Sequence, residues 1–120
     1  FDRVKVSADR RGTPSYMAPE LVLKNQVDQR TDVYGFGVVM YEVVTGRLPF
    51  SGGTGFERMQ KNVSVEAKPP SEVLPGIPRA ADLLILKAMA KDPKQRFQTI
   101  DEVQEHLSYM NESDFEKKEE

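Results

Sequence analysis

The sequence predicts an all-α domain of about five helices. Three observations carry that expectation. A long apolar segment, residues 31–45, is closed by a glycine. Two later stretches repeat apolar residues at helical spacing, at 56, 59 and 63 and at 100, 103, 107 and 110. Prolines and glycines punctuate the intervals between these segments.

Residues 1–19 are rich in charge, Gly and Pro, show no sustained period and read as a long loop. Pro19, whose fixed φ suits a first helical position, opens a short helix through Lys24. The polar "NQVDQR" connects it to "TDVYGFGVVMYEVVT", residues 31–45. The Val content of that segment suits a strand, but its length and the following Gly46 favour a helix. A helix apolar on nearly every side is expected to be buried on nearly every side. Gly35 and Gly37 each cost it roughly 1 kcal/mol relative to Ala, which suits a close approach by another piece of backbone.

"RLPFSGGTG" is a loop. Its glycines superficially suit a phosphate cradle, but no Gly-Lys-Ser/Thr follows and no strand precedes, so it reads as a connector. Phe56, Met59 and Val63 form one stripe of a short helix, either core or an exposed docking face. "AKPPSEVLPGIP" is a second connector. Pro78 starts a helix through about Ala90, with Arg79, Asp82, Lys87 and Lys91 on one side. Thr99 and Glu102 fit a capping box ahead of the last helix. The predicted organisation is one domain over residues 1–110 and a charged, disordered tail over 111–120.

Hydrophobic residues make up 38% and charged residues 30%, with a net charge of -2, so nothing points to nucleic acid or an anionic membrane as partner. The absence of cysteine excludes disulfides, thiolate catalysis and cysteine metal sites. His106, the only histidine, has no companions at ligand spacing and reads as a surface residue. The apolar run 33–44 is interrupted by Glu42 and falls short of the about 20 residues a bilayer span requires. A charged start without signal-peptide character leaves a soluble, cytoplasmic chain as the expectation, with any membrane anchor elsewhere in a longer protein.

Three stretches, "GTPSYMAPE" (12–20), "DVYGFGVVMYEVVTGRLPF" (32–50) and "KAMAKDPKQRF" (87–97), occur in an order that resembles the C-terminal lobe of a eukaryotic-type (Hanks-type) protein kinase. Gly-Thr ahead of the aromatic and "APE" resembles the serine/threonine type. "KDPKQRF" is similar to bacterial members, whereas "DVYGFGVVMYE" is also similar to tyrosine-kinase-like sequences. The resemblance implies a helical C-terminal lobe without the N-terminal β lobe or the catalytic loop. It implies transfer of the ATP γ-phosphoryl group to Ser or Thr of protein substrates, with ATP and Mg as cofactors of a parent kinase. The glycine-rich loop, strand lysine, "HRD" and "DFG" of the family are not in the sequence, so no catalytic residue is assigned and the chain is expected to be inactive without the missing N-terminal part of the kinase domain. A non-catalytic lobe or pseudokinase acting as a scaffold is the alternative.

The resemblance also assigns residues. Gly12, Thr13, Pro14, Ser15 and Tyr16 correspond to the loop that receives the peptide just after its phosphorylated residue. Thr13, able to donate and accept, would orient the acceptor. Glu20 and Arg96 correspond to a buried ion pair, a role that suits the planar fork of Arg. Asp32 corresponds to the aspartate that anchors the catalytic loop, and that loop is the expected neighbour of Gly35 and Gly37. Asp9 stands where many relatives carry a phosphorylated threonine and would supply a permanent, weaker charge. Ser7 is the nearest alternative phosphorylation site.

Overall fold

The computed structural model describes residues 14–110. Ser7, Asp9, Gly12, Thr13 and the tail 111–120 lie outside the described residues. Among those described, the chain forms α1 (Pro19–Lys24), α2 (Gln29–Thr45), α3 (Gly55–Ser64), α4 (Pro70–Val73), α5 (Arg79–Ala88) and α6 (Ile100–Tyr109), with 3-10 turns at Pro14–Tyr16 and Pro93–Gln95 and no strand.

Local chemistry accounts for these boundaries. Pro19 occupies the first turn of α1, where its missing N–H is not needed. Asn25 ends that helix in the left-handed region (φ 54°), which Asn tolerates better than most residues. Asp28 caps α2 by accepting from the Arg30 amide at 2.8 Å, while the Thr31 hydroxyl accepts from the Asp28 amide at 3.1 Å. Gly46 closes the helix at φ 80°. Thr54 and Glu57 form a reciprocal capping box at the start of α3. At α6 only half of the expected box exists. Thr99 accepts from the Glu102 amide at 3.0 Å, but the Glu102 carboxylate turns to the Gln98 amide at 2.7 Å, one residue before the cap.

Helix α4 was hidden in the second proline-rich connector. It is a single turn, too short for any periodicity, and is held by Asp82 of α5, which accepts from the Ser71 amide (2.9 Å) and hydroxyl (2.6 Å).

The core is organised around α2. Val33, Tyr34, Val38 and Tyr41 are buried against Leu84, Ile85, Ala88 and Met89 from α5 and its end, with Phe97 and Val103 completing the cluster. Gly37 allows that contact: a Cβ there would lie 2.9 Å from the Ala88 Cβ and 2.8 Å from the Met89 Cγ. Within this chain the close neighbour of Gly37 is α5, and a Cβ at Gly35 would meet only the Tyr16 carbonyl, at 3.9 Å. Helix α2 lacks cover from this chain along one side. Val39 and Val43 face solvent, the latter 76% exposed.

Candidate functional site

Two hydrogen-bonded assemblies occupy the face formed by the start of α1, the Pro14–Tyr16 turn and α3. The first is centred on Arg96, whose side chain is fully buried. Its Nη1 and Nη2 meet the two Glu20 carboxylate oxygens at 2.8 and 2.7 Å in a two-pronged pair. The remaining donors reach the carbonyls of Arg30 (2.8 Å), Lys91 (3.2 Å) and Ala90 (2.7 Å), so every guanidinium N–H has a partner. Glu20 also accepts from the Thr31 hydroxyl at 2.7 Å. Desolvation pushes the Glu20 carboxyl upward, but the Arg96 and Thr31 bonds and the Arg96 charge outweigh it and hold the group below the usual carboxylate range. The pair joins the first turn of α1 to the segment before α6.

The second assembly holds the Pro14–Tyr16 turn against α3. The buried Asn62 donates from Nδ2 to the Pro14 and Ser15 carbonyls, both at 3.2 Å, and accepts at Oδ1 from the Tyr34 hydroxyl at 2.5 Å. One helical turn earlier, Arg58 donates from Nε to the Ser15 hydroxyl at 2.8 Å and from Nη1 to the Gly53 carbonyl at 2.9 Å. The glycine-rich loop thus presents carbonyls to a cation, the opposite of what a phosphate would require. Tyr16 donates to Glu42 of α2 at 2.7 Å, a bond that, with burial, pushes its phenol up to about 12.

Tyr34 joins the two assemblies. Its ring faces the Arg96 guanidinium at 5.1 Å, and its hydroxyl holds Asn62. Lys91 completes the connection, donating to the Asn62 backbone carbonyl at 2.7 Å with its ammonium 4.9 Å from the Phe50 ring centre. Burial lowers the Lys91 amine to about 8, with Glu66 opposing the drop and Arg96 adding to it.

Of the residues singled out from sequence, Glu20 and Arg96 are in direct contact, and Pro14, Ser15 and Tyr16 lie on one turn. Ser15 is buried, 8% exposed, and its hydroxyl accepts from Arg58. Asp32 lies half-buried in the first turn of α2. His106 is exposed and stacks edge-on against Phe97.

Sequence reading missed Arg58, Asn62, Tyr34, Glu42 and Lys91. Of the stripe read as either core or an exposed docking face, Phe56 is 64% exposed, whereas Asn62, which that stripe does not include, is fully enclosed. The available signal was Gly55, Arg58 and Asn62 at i, i+3 and i+7, a helical stripe without an apolar member.

Comparison with known proteins agrees with this arrangement. The family profile described as "protein kinase domain" matches residues 3–109. The chain is 43% identical over 101 residues to a probable serine/threonine-protein kinase PknB of Bifidobacterium longum, covering 83% of this chain and 15% of that protein. It is 40% identical over 96 residues to the serine/threonine-protein kinase PknB of Mycobacterium tuberculosis, covering 80% of this chain and again 15% of the relative. Among solved structures, the twitchin kinase region from C. elegans superimposes with a TM-score of 0.74 at 28% identity, over 83% of this chain and 18% of that one.

Proposed function

Since the chain belongs to the protein kinase family, in its serine/threonine branch, we propose that it serves as the peptide-receiving platform of a protein serine/threonine kinase. In this reading residues 12–16 form the loop that receives the substrate just after its acceptor residue, Thr13 helps to orient the acceptor hydroxyl, and Asp32 anchors the catalytic loop. Asp9 stands in for a phosphorylated residue, with Ser7 as the alternative site. Glu20 and Arg96 fix the end of this segment to the body of the lobe. The observation that carries the reading is the pinning of the Pro14–Tyr16 turn from two sides, by α3 and by Glu42, a few residues ahead of the Glu20–Arg96 pair. A peptide-binding loop needs such support, because a positioning error of an ångström costs orders of magnitude in rate.

The nucleotide and its Mg would come from outside this segment. Among the described residues no three His, Cys, Asp or Glu side chains gather closely enough to hold a metal ion. The chain spans about 15% of the length of the curated relatives it matches. Phosphoryl transfer to protein Ser or Thr is therefore proposed for the kinase that contains this segment, in the cytoplasm, with the nucleotide-binding part of the domain as its first partner. Among the described residues no helix is long and apolar enough to cross a membrane.

The test compares this chain with the complete kinase. Mg-ATP should leave the melting temperature of the chain unchanged, while the complete kinase should label Ser and Thr peptides. Stabilisation of the isolated chain by Mg-ATP, or labelling of Tyr peptides alone, would sink the reading. A non-catalytic scaffold is a second reading, favoured by one observation: the solvent-facing Val39 and Val43 of α2, which a partner could cover.

A further inference from the structure

We infer that the polar seam of α3, formed by Gly55, Arg58 and Asn62, positions the substrate turn and thereby determines how well the kinase accepts a peptide. The inference rests on the proposed reading of residues 12–16 as the peptide loop. It adds the element that sets where this loop lies.

Three independent contacts converge on the turn from one helical stripe. Gly55 brings the helix start so near Pro14 that a Cβ would lie 2.9 Å from the proline Cγ, an atom of a rigid ring. Arg58 holds the Ser15 hydroxyl. Asn62 takes the Pro14 and Ser15 carbonyls with both of its amide hydrogens and is itself fixed by Tyr34, leaving its side-chain amide no freedom to rotate. A fully buried amide is an unusual way to attach a helix to a turn, because apolar packing would do so without the risk of unpaired polar groups. What directional bonds add is a single position for the backbone they hold. The atoms held are the Pro14 and Ser15 carbonyls, within the stretch proposed to meet the peptide. These are positioning residues; none is proposed to touch the reacting atoms.

The experiment measures peptide KM, ATP KM, kcat and melting temperature of the complete kinase carrying Asn62→Leu, Arg58→Met, Gly55→Ala or Pro14→Ala. Losing the two Asn62 bonds is expected to raise the peptide KM about tenfold, and losing the Arg58 bond about threefold, with ATP KM within about twofold. Gly55→Ala probes the contact without removing a hydrogen bond: its Cβ must displace Pro14, so the peptide KM should rise, while the better helix propensity of alanine offsets part of the stability lost to the clash. A peptide KM within about twofold of the parent in Asn62→Leu overturns the inference. Should that variant fail to fold, the same result in both Arg58→Met and Gly55→Ala overturns it. If Pro14→Ala raises the peptide KM while the seam variants do not, the seam inference fails alone. If none of the four changes it, the peptide-loop reading fails as well.

Discussion

Replacing Arg96 with methionine should be among the most damaging single changes in this lobe, and its cost can be reasoned from the contacts. Met fills much of the same volume, so the loss is electrostatic rather than a cavity. Glu20, with its side chain only 14% exposed, is left with the Thr31 hydroxyl, and the carbonyls of Ala90, Arg30 and Lys91 each lose a donor. Stranding one partner of a buried pair costs about 3–5 kcal/mol, against a typical domain stability of about 5–15 kcal/mol. With a urea slope of about 1–3 kcal/mol per molar, the midpoint should fall by roughly 2 M. Glu20→Gln keeps the shape but replaces one of the two accepting oxygens with an NH2 that faces the guanidinium, and it leaves the fully buried Arg96 without its counter-charge, so it too should cost about 3–5 kcal/mol. Urea unfolding followed by far-UV circular dichroism reads both. The reasoning is refuted if either Arg96→Met or Glu20→Gln costs less than about 1 kcal/mol.

Four further outcomes are expected. Because the folded Glu20 pKa lies below its unfolded value, its stabilisation is complete above the unfolded pKa and lost as pH falls through the folded one; acid unfolding should therefore be shallower in Glu20→Gln than in the parent. Lys91 runs the other way: with its amine lowered to about 8, the folded state holds fewer protons than the unfolded one between there and the ordinary lysine value. The stability of the parent relative to Lys91→Met should thus improve from pH 7.5 to pH 10, measured as the difference in urea midpoints. Gly37→Ala should destabilise by about 1–3 kcal/mol despite the better helix propensity of alanine, because its Cβ meets Ala88 and Met89, and thermal unfolding would report it. Val43→Gln, on the exposed face of α2, should change stability by no more than about 0.5 kcal/mol in the same assay.

Where local chemistry decides a feature, the sequence shows it. Pro19 starts a helix because of its own ring, and Gly46 ends one because of its own missing Cβ. Contacts between distant segments were not legible in the same way. Asn62 reads as an unremarked polar residue on a short helix until the turn 48 residues earlier is laid beside it. The one-turn helix α4 depends on Asp82, 11 residues beyond Ser71. Gly37 suggested a close approach, but periodicity could not say that α5 makes it. Glu20 and Arg96 were matched through family resemblance, since no local pattern spans residues 76 apart.

That separation has a consequence for synthesis. At about 5–20 residues per second, Glu20 is joined to the chain roughly 4–15 seconds before Arg96. During that interval the carboxylate that will be nearly enclosed stays in water, and α1 has nothing to hold it to the body of the lobe. Closing so large a loop carries its entropic cost before any reward, so the nascent chain passes through a stage in which α2 is complete but its neighbours are not. The apolar side chains of α2 stay open until α5, Phe97 and Val103 have followed, so the arginine that fixes α1 arrives between the first and the last of the groups that cover them.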